Sequence, residues 1–296
     1  MDLKAPKSYA DLVTRLEEHH MVIKNRGFAE QYLKTVSYYR FTGYALQFRS
    51  APHDSDFADN VTFEQVASLY AFDAELRLLL KKWIEILEIY FRTQISHTFA
   101  MAKYQLPPHD QHYSEANYYN KTDFQKIFEN FKRQRTHYSE SPVLQHHQRN
   151  YGDRLPLWVI AEMLSFSELS KLYSCMYDSE QNLIASATGT GRSVLKNHLH
   201  CLSVLRNKCA HAARLYNTDF RPSANLPPNF LRKHPDVQNN SLFAYILVVI
   251  RRLPEEHMKL TLIAELYDLV NRYSRDLDLR LMGFPENYKE VLTENR

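Results

Sequence analysis

Residues 62–104 read TFEQVASLYAFDAELRLLLKKWIEILEIYFRTQISHTFAMAKY, and they decide the fold class of the chain. They contain neither Gly nor Pro, and their apolar side chains recur at the three- and four-residue spacing of an α-helix. Thr62 and Gln65 form the pattern of a capping box, which marks the start of a helix. Pro107-Pro108 ends the segment. The segment therefore predicts one long helix or two helices stacked end to end.

The composition of the whole chain agrees with a helical fold. Only 6 of the 296 residues are Gly, about a third of the usual share. Glycine-rich phosphate loops and hairpin-rich β folds are therefore disfavoured. Since further apolar segments with helical spacing follow, the sequence predicts an all-α bundle with antiparallel neighbouring helices.

Charge and cysteine content limit the possible partners and cofactors. The net charge is +3 with His neutral, so any nucleic-acid interface must be a local patch. The three cysteines lack metal-binding spacing, and no metal, other cofactor or disulfide framework is expected. The first residues lack the apolar stretch of a signal peptide. The longest apolar run, Leu242 to Ile250, is too short to span a bilayer, and a cytoplasmic protein without membrane association is expected.

Breaks in the helical pattern divide the chain into three predicted segments. Residues 1–110 form an N-terminal helical lobe, residues 111–154 a polar insertion or bridge, and residues 155–296 a C-terminal lobe. The insertion is expected to contain a helix from Asp123 to about His137. The C-terminal lobe is expected to begin with a helix from Pro156 to about Tyr177 and to continue with a helix from Ser193 to about Tyr216.

The stretch LRNKCAHAARLYN, residues 205–217, carries the side chains best suited to chemistry. On a helix, Asn207, His211 and Arg214 are four and seven residues apart and share one face. Imidazole exchanges protons near neutral pH, and guanidinium groups bind phosphate oxygens. Together with Arg206, these side chains favour metal-free cleavage of a phosphodiester. The alternative is a polar helix face that makes surface ion pairs.

A second Arg-x(4)-His motif runs from Arg92 to His97. One interpretation is a partner motif that completes the site within one chain. The other is a structural ion pair between Glu88 and Arg92, which are four residues apart on one helix, beside an incidental histidine.

Three further cations are candidate RNA-binding residues. Lys208 and Arg214 are expected to contact phosphates beside the first motif, or else to lie on a solvated helix face. Arg40 lies among Tyr38, Tyr39 and Tyr44. Aromatic rings and guanidinium groups bind bases and phosphates, but the same cluster also suits a packed structural core.

Residues 206–211, Arg-Asn-Lys-Cys-Ala-His, resemble the Arg-x(4–6)-His motif of the HEPN superfamily. Further blocks, in the same order along the chain, resemble the abortive-infection (Abi-like, AbiD/AbiF-type) family of that superfamily. The sequence departs from this family at Ala212, where a second His is usual, and at Ser167, where Gly is usual. The blocks are SYYRFTGY (37–44), YAFDAELR (70–77), Glu88 with RTQI (92–95), LPLW to KLY (155–173) and AHAARLYN (210–217).

The resemblance implies a HEPN-like bundle with an N-terminal helical extension and C-terminal helices. It also implies a metal-independent endoribonuclease that acts as an antiphage toxin. The ribose 2′-OH attacks the adjacent phosphorus, His211 transfers the proton, Arg206 balances the phosphoryl charge, and Asn207 orients one of them. The implied partners are substrate RNA, a cognate small non-coding RNA antitoxin and a second copy in a homodimer.

Two other functions stay open at this point. One is a non-catalytic RNA-binding protein that holds a structured small RNA on a HEPN scaffold. The other is a protein-interaction or dimerisation module with an inactive site, for which a tyrosine-rich surface is suited.

Overall fold

The computed structural model of the protein describes residues 5–51, 53–152 and 154–295. These ranges contain 14 α-helices and no strand, which confirms the predicted all-α fold. Short 3-10 helices span Leu46–Phe48, Gln111–Tyr113, Glu115–Asn117, Thr136–Tyr138 and Leu279–Met282. The α-helices are α1 (Tyr9–Glu18), α2 (Arg26–Thr35), α3 (Tyr38–Ala45), α4 (Phe63–Lys103), α5 (Lys121–Arg135), α6 (Pro142–Tyr151), α7 (Leu157–Met163), α8 (Phe166–Cys175), α9 (Asp178–Ala187), α10 (Arg192–Ala210), α11 (Pro228–Lys233), α12 (Leu242–Arg252), α13 (Glu256–Tyr273) and α14 (Tyr288–Glu294).

The segment that decides the fold forms one uninterrupted helix, α4, of 41 residues. The predicted capping box starts it. The Thr62 N–H donates to Gln65 Oε1 over 2.9 Å, and the Gln65 N–H donates to Thr62 Oγ1 over 3.2 Å. A buried apolar stripe with helical spacing then runs along the whole helix, formed by Phe63, Val66, Leu69, Phe72, Leu76, Leu80, Ile84, Leu87, Phe91, Ile95 and Phe99.

The chain forms two compact units. The first consists of Met1–Leu76 and Glu265–Asp278, and the second of Arg77–Ala264 and Leu279–Arg296. Both divisions fall inside helices, since α4 and α13 each contribute to both units. These bounds group residues by contact and differ from the three sequence segments divided at 110 and 154, which stay a prediction.

Aromatic packing holds the first unit together. The rings of Phe41 on α3 and Phe63 on α4 stack with centroids 4.3 Å apart. The Tyr32 ring meets both of them edge-on. The Tyr44 hydroxyl donates to Asp73 Oδ2 over 2.5 Å in a buried setting. Residues of the 37–44 and 70–77 blocks thus form one core.

In the second unit, α10 packs against α8, α9 and α12, while α5 packs against α7 and α8. The helix expected inside residues 111–154 is confirmed as α5, which buries Phe124, Ile127, Phe128 and Phe131. The apolar run in α12 is buried throughout. Across the described ranges, no helix combines the length and the apolar character that crossing a membrane requires.

Two predicted helices of the second unit are wrong in extent. The helix expected from Pro156 to about Tyr177 is broken into α7 and α8, because Ser165 caps α8 in a capping box with Glu168. The helix expected to reach Tyr216 ends at Ala210, since the chain leaves the helix through a left-handed residue, Ala212, at φ 50°.

Candidate functional site

Arginines from the two Arg-x(4)-His motifs converge on one carboxylate in the second unit. Glu88 on α4 accepts a hydrogen bond from Arg92 Nη2 at Oε1 over 2.6 Å. Its other oxygen, Oε2, lies 3.3 Å from Nε of Arg206 on α10. The Glu88 side chain is only 10 % exposed, so it depends on both guanidinium groups to compensate its charge.

Arg92 is also held by the junction between α7 and α8. Its Nη2 donates to the Leu164 carbonyl over 2.9 Å, and its Nη1 lies 3.5 Å from Glu162 Oε2. Its Nε is buried, and the described residues offer it no acceptor. The structural Glu88–Arg92 pair is therefore present, and it places Arg92 beside the arginine of the other motif.

Asn207 extends the same network to α8. Its Nδ2 donates to Ser167 Oγ over 3.1 Å, and its Oδ1 lies 3.5 Å from Arg206 Nη1. Sequence reasoning missed Ser167 as a site residue. The available signal was its departure from the family pattern, where Gly is usual.

A cleft of about 260 Å³ opens beside this network and is lined by Lys81, Glu85, Glu88, Ile89, Arg92 and Arg206. Its lining holds three cations and two carboxylates, a net charge of +1. The Arg206 side chain is 36 % exposed, so part of the guanidinium is open to a ligand. The structure thus brings the two motif arginines together, but neither motif histidine lines this cleft.

His211 lies at the end of α10, where a tight turn sets its position. The Ala213 N–H donates to the Lys208 carbonyl over 2.9 Å and the Ala212 N–H to the Cys209 carbonyl over 3.3 Å, the pattern of a Schellman motif. Arg77 Nη1 lies 3.4 Å from the Ala213 carbonyl on the same turn. The His211 side chain is exposed at this end.

His97, the histidine of the second motif, is also exposed. It lies near the end of α4, five residues beyond Arg92. A helix rises about 1.5 Å per residue, so His97 lies about 7.5 Å further along α4 than Arg92. His211 is also five residues beyond its arginine in sequence, but it lies just past the last residue of α10.

The predicted RNA-binding residues fall in different environments. Arg214 lies beyond the end of α10, so the prediction that it shares a helical face with His211 is wrong. The Lys208 ammonium lies 5.1 Å from the Phe220 ring centroid. Arg40 is a half-buried residue of the first unit, where Tyr44 is buried and Tyr39 is 89 % exposed. Contact of these three cations with RNA stays a prediction.

The buried histidine and cysteine of α10 belong to the core. His198 Nε2 lies 2.9 Å from the Asn225 carbonyl, and burial lowers its pKa to about 4. Burial raises the pKa of the Cys201 thiol to about 11. Within residues 5–51, 53–152 and 154–295, no three or more His, Cys, Asp or Glu residues are grouped to hold a metal ion.

Comparison with known proteins yields one family. A family model described as Abi-like protein matches residues 31–217, which is more than half of the chain. The matched region includes all of α4 and α10, and therefore both Arg-x(4)-His motifs. No match was found among curated proteins or among solved structures.

Proposed function

The chain belongs to the Abi-like protein family, and on that premise we propose that it is an abortive-infection effector that cleaves RNA without a metal ion. The observation that carries this proposal is the meeting of Arg92 and Arg206 at Glu88. Two copies of one short motif, far apart in the sequence, supply their arginines to one place beside a cleft.

The arginines suit the phosphate of an RNA strand. Guanidinium groups pair with phosphate oxygens through two parallel hydrogen bonds. Glu88 holds the Nε edge of Arg206, and the exposed part of that side chain is left for a phosphate. Asn207, anchored on Ser167, supports Arg206 from the other side. The role of both arginines is to stabilise the charge that develops on phosphorus.

His211 supplies the proton transfer. As general base it takes the proton of a ribose 2′-OH, whose oxygen then bonds to the adjacent phosphorus. The bond from phosphorus to the 5′-oxygen of the next nucleotide breaks, that oxygen takes a proton from solvent water, and His211 releases its proton to solvent. The products are a 2′,3′-cyclic phosphate and a 5′-OH end. DNA lacks the 2′-OH and is not cleaved.

The two motifs complete one site within a chain in this proposal. Arg92 stands beside Arg206 in the same compact unit, so a second chain is not needed to bring two arginines together. Assembly into a homodimer and restraint by a small non-coding RNA are kept as separate proposals about the partners of the protein.

The test is cleavage of end-labelled single-stranded RNA in excess EDTA. We expect the wild-type protein to cut RNA, to leave 2′,3′-cyclic phosphate ends, and to spare DNA of the same sequence. The variant His211→Ala is expected to lose at least about a hundredfold in rate, since general acid–base catalysis contributes that much or more. His200→Ala is the matched control, because His200 is exposed on α10, the helix that His211 follows, and is expected to keep wild-type activity.

Three results would contradict the proposal. Cleavage by folded His211→Ala at the wild-type rate would remove His211 from the mechanism. Equal loss in His200→Ala would point to a general effect of histidine removal. RNA that is bound by wild type but never cut would favour the non-catalytic RNA-binding alternative.

A further inference from the structure

A second and larger cleft lies in the first compact unit. It has a volume of about 480 Å³, within the usual range for small-ligand sites. The residues that line it include Lys7, Arg15, His19, Tyr38 and Arg49. Among the described residues that line it there is neither Asp nor Glu, so this lining is basic although the whole chain is nearly neutral.

The three full cations of this cleft are not engaged in close ion pairs. Within the part of the chain that the structure describes, Lys7, Arg15 and Arg49 form no ion pair. The Nε of Arg49 is buried, and no described atom accepts its hydrogen bond. Lys7 and Arg49 act on Asp11 and Asp54 only at longer range, without a close ion pair. Like charges gathered in one cleft repel one another, and a buried N–H without an acceptor destabilises the fold. An anion in the cleft would relieve both.

Carboxylates close in sequence to the lining residues have other hydrogen-bond partners, and Asp11 pairs with Ser8 in the cap of α1. Asp54 accepts from the Ser50 hydroxyl over 2.6 Å and from the Ser55 N–H over 2.7 Å. These hydrogen bonds lower the pKa of Asp54, and Arg49 adds a smaller electrostatic effect. Asp56 lies 2.9 Å from His19 Nδ1. Ser50, Ser55 and His19 therefore bind these carboxylates, and the cations of the cleft are left for a ligand.

We propose that this basic cleft binds the phosphate group of a nucleotide, either within an RNA strand or in a free nucleotide. Two arginines and a lysine fit a phosphate by charge and by hydrogen-bond geometry. Tyr38 adds an aromatic ring on which a base can stack. The RNA form of this proposal rests on the proposed function, whereas the free-nucleotide form does not.

The experiment measures binding to the full chain in a His211→Ala background, which keeps RNA intact. The probes are a short single-stranded RNA, adenosine 5′-monophosphate and inorganic phosphate, each titrated at one fixed salt concentration. In Arg15→Gln/Arg49→Gln we expect the Kd of the bound probe to rise at least about tenfold. Lys24→Gln/Lys34→Gln is the matched control, since it removes the same charge from exposed positions of the same unit, and we expect a change of less than about twofold.

The probes separate the two sources of the phosphate. Binding of RNA alone supports an RNA strand, and binding of adenosine 5′-monophosphate as well supports a free nucleotide. No binding of any probe, or equal weakening in the two double variants, overturns the proposal. If Arg15→Gln/Arg49→Gln fails to fold by circular dichroism, Lys7→Gln replaces it, because Lys7 is exposed and its substitution leaves the core untouched.

Failure of this inference is distinguishable from failure of the proposed function. If the wild-type protein cleaves RNA but the cleft substitutions leave the Kd unchanged, only the proposal about the cleft is contradicted. If binding depends on the cleft but the wild-type protein does not cleave RNA, only the ribonuclease proposal is contradicted.

Discussion

Glu88 shows how a single residue connects parts of the chain that are far apart in sequence. The carboxylate receives Arg92 from its own helix and Arg206 from α10. The pair with Arg92 was predictable, because residues four apart on a helix are neighbours. The contact with Arg206 was not, since it depends on how α4 and α10 pack. The same holds for Asn207 and Ser167.

Replacing Glu88 tests its contacts with Arg92 and Arg206. Glu88→Gln is nearly isosteric but removes the charge that both guanidinium groups share. We expect the free energy of unfolding to fall by about 2 kcal/mol, because hydrogen bonds to charged groups are among the stronger ones and two partly buried cations lose their partner. Urea denaturation measures the change.

Glu85→Gln is the control for Glu88→Gln. Glu85 lines the same cleft but is exposed, and its substitution is expected to change the free energy of unfolding by less than about 0.5 kcal/mol. Equal effects of the two substitutions would mean that Glu88 has no special role.

Among the helices, α10 shows where local preference misleads. Residues 210–214, Ala-His-Ala-Ala-Arg, favour continuation of a helix because Ala has the highest helix propensity. The structure instead ends α10 at Ala210 and turns through Ala212 at φ 50°. This turn lies beside Arg77, a tertiary contact that no local pattern reports. It leaves His211 exposed at the helix end and removes Arg214 from the helix.

Two substitutions at this turn are expected to change the free energy of unfolding in opposite directions. Ala212→Gly is expected to raise the free energy of unfolding by about 0.5 to 1 kcal/mol, because Gly adopts positive φ without the strain of a Cβ. Ala210→Gly, at the last residue of α10, is expected to lower it by up to about 1 kcal/mol. Thermal unfolding monitored by circular dichroism compares them. Destabilisation by both would show that Ala212 is not strained.

For the molecule as a whole, the division into two compact units separates two candidate sites. The basic cleft belongs to the first unit, and Glu88 with its two arginines belongs to the second. The predicted homodimer concerns a further level of assembly and stays a prediction. The free energy of unfolding of the whole chain is expected to depend on pH through His198, a buried group of the second unit.

His198 makes the fold sensitive to acid. Its folded pKa of about 4 lies below the ordinary value of 6.5, mainly because burial disfavours the charged imidazole. Between these values the unfolded chain binds more protons than the folded one, so the free energy of unfolding falls as pH is lowered from about 6.5 to about 4. The expected loss from this group is about 3 kcal/mol at most.

Urea denaturation at several pH values tests the role of His198. In His198→Gln, whose amide can still donate to the Asn225 carbonyl, the fall between pH 6.5 and 4 should be smaller than in wild type. His200→Gln, at an exposed position of the same helix, should keep the wild-type dependence. If the free energy of unfolding fell equally with pH in wild type and in His198→Gln, His198 would not be the group responsible.

The sequence by itself determined the all-α class, the start of α4 at Thr62 and the order of the family blocks. These features depend on apolar periodicity, capping and the scarcity of glycine, which act between residues near one another in the chain. Only the tertiary structure decided that Arg92 and Arg206 share Glu88, that α10 ends at Ala210, and that Lys7, Arg15 and Arg49 line one cleft. Each of these depends on packing between elements distant in sequence, which local patterns do not encode.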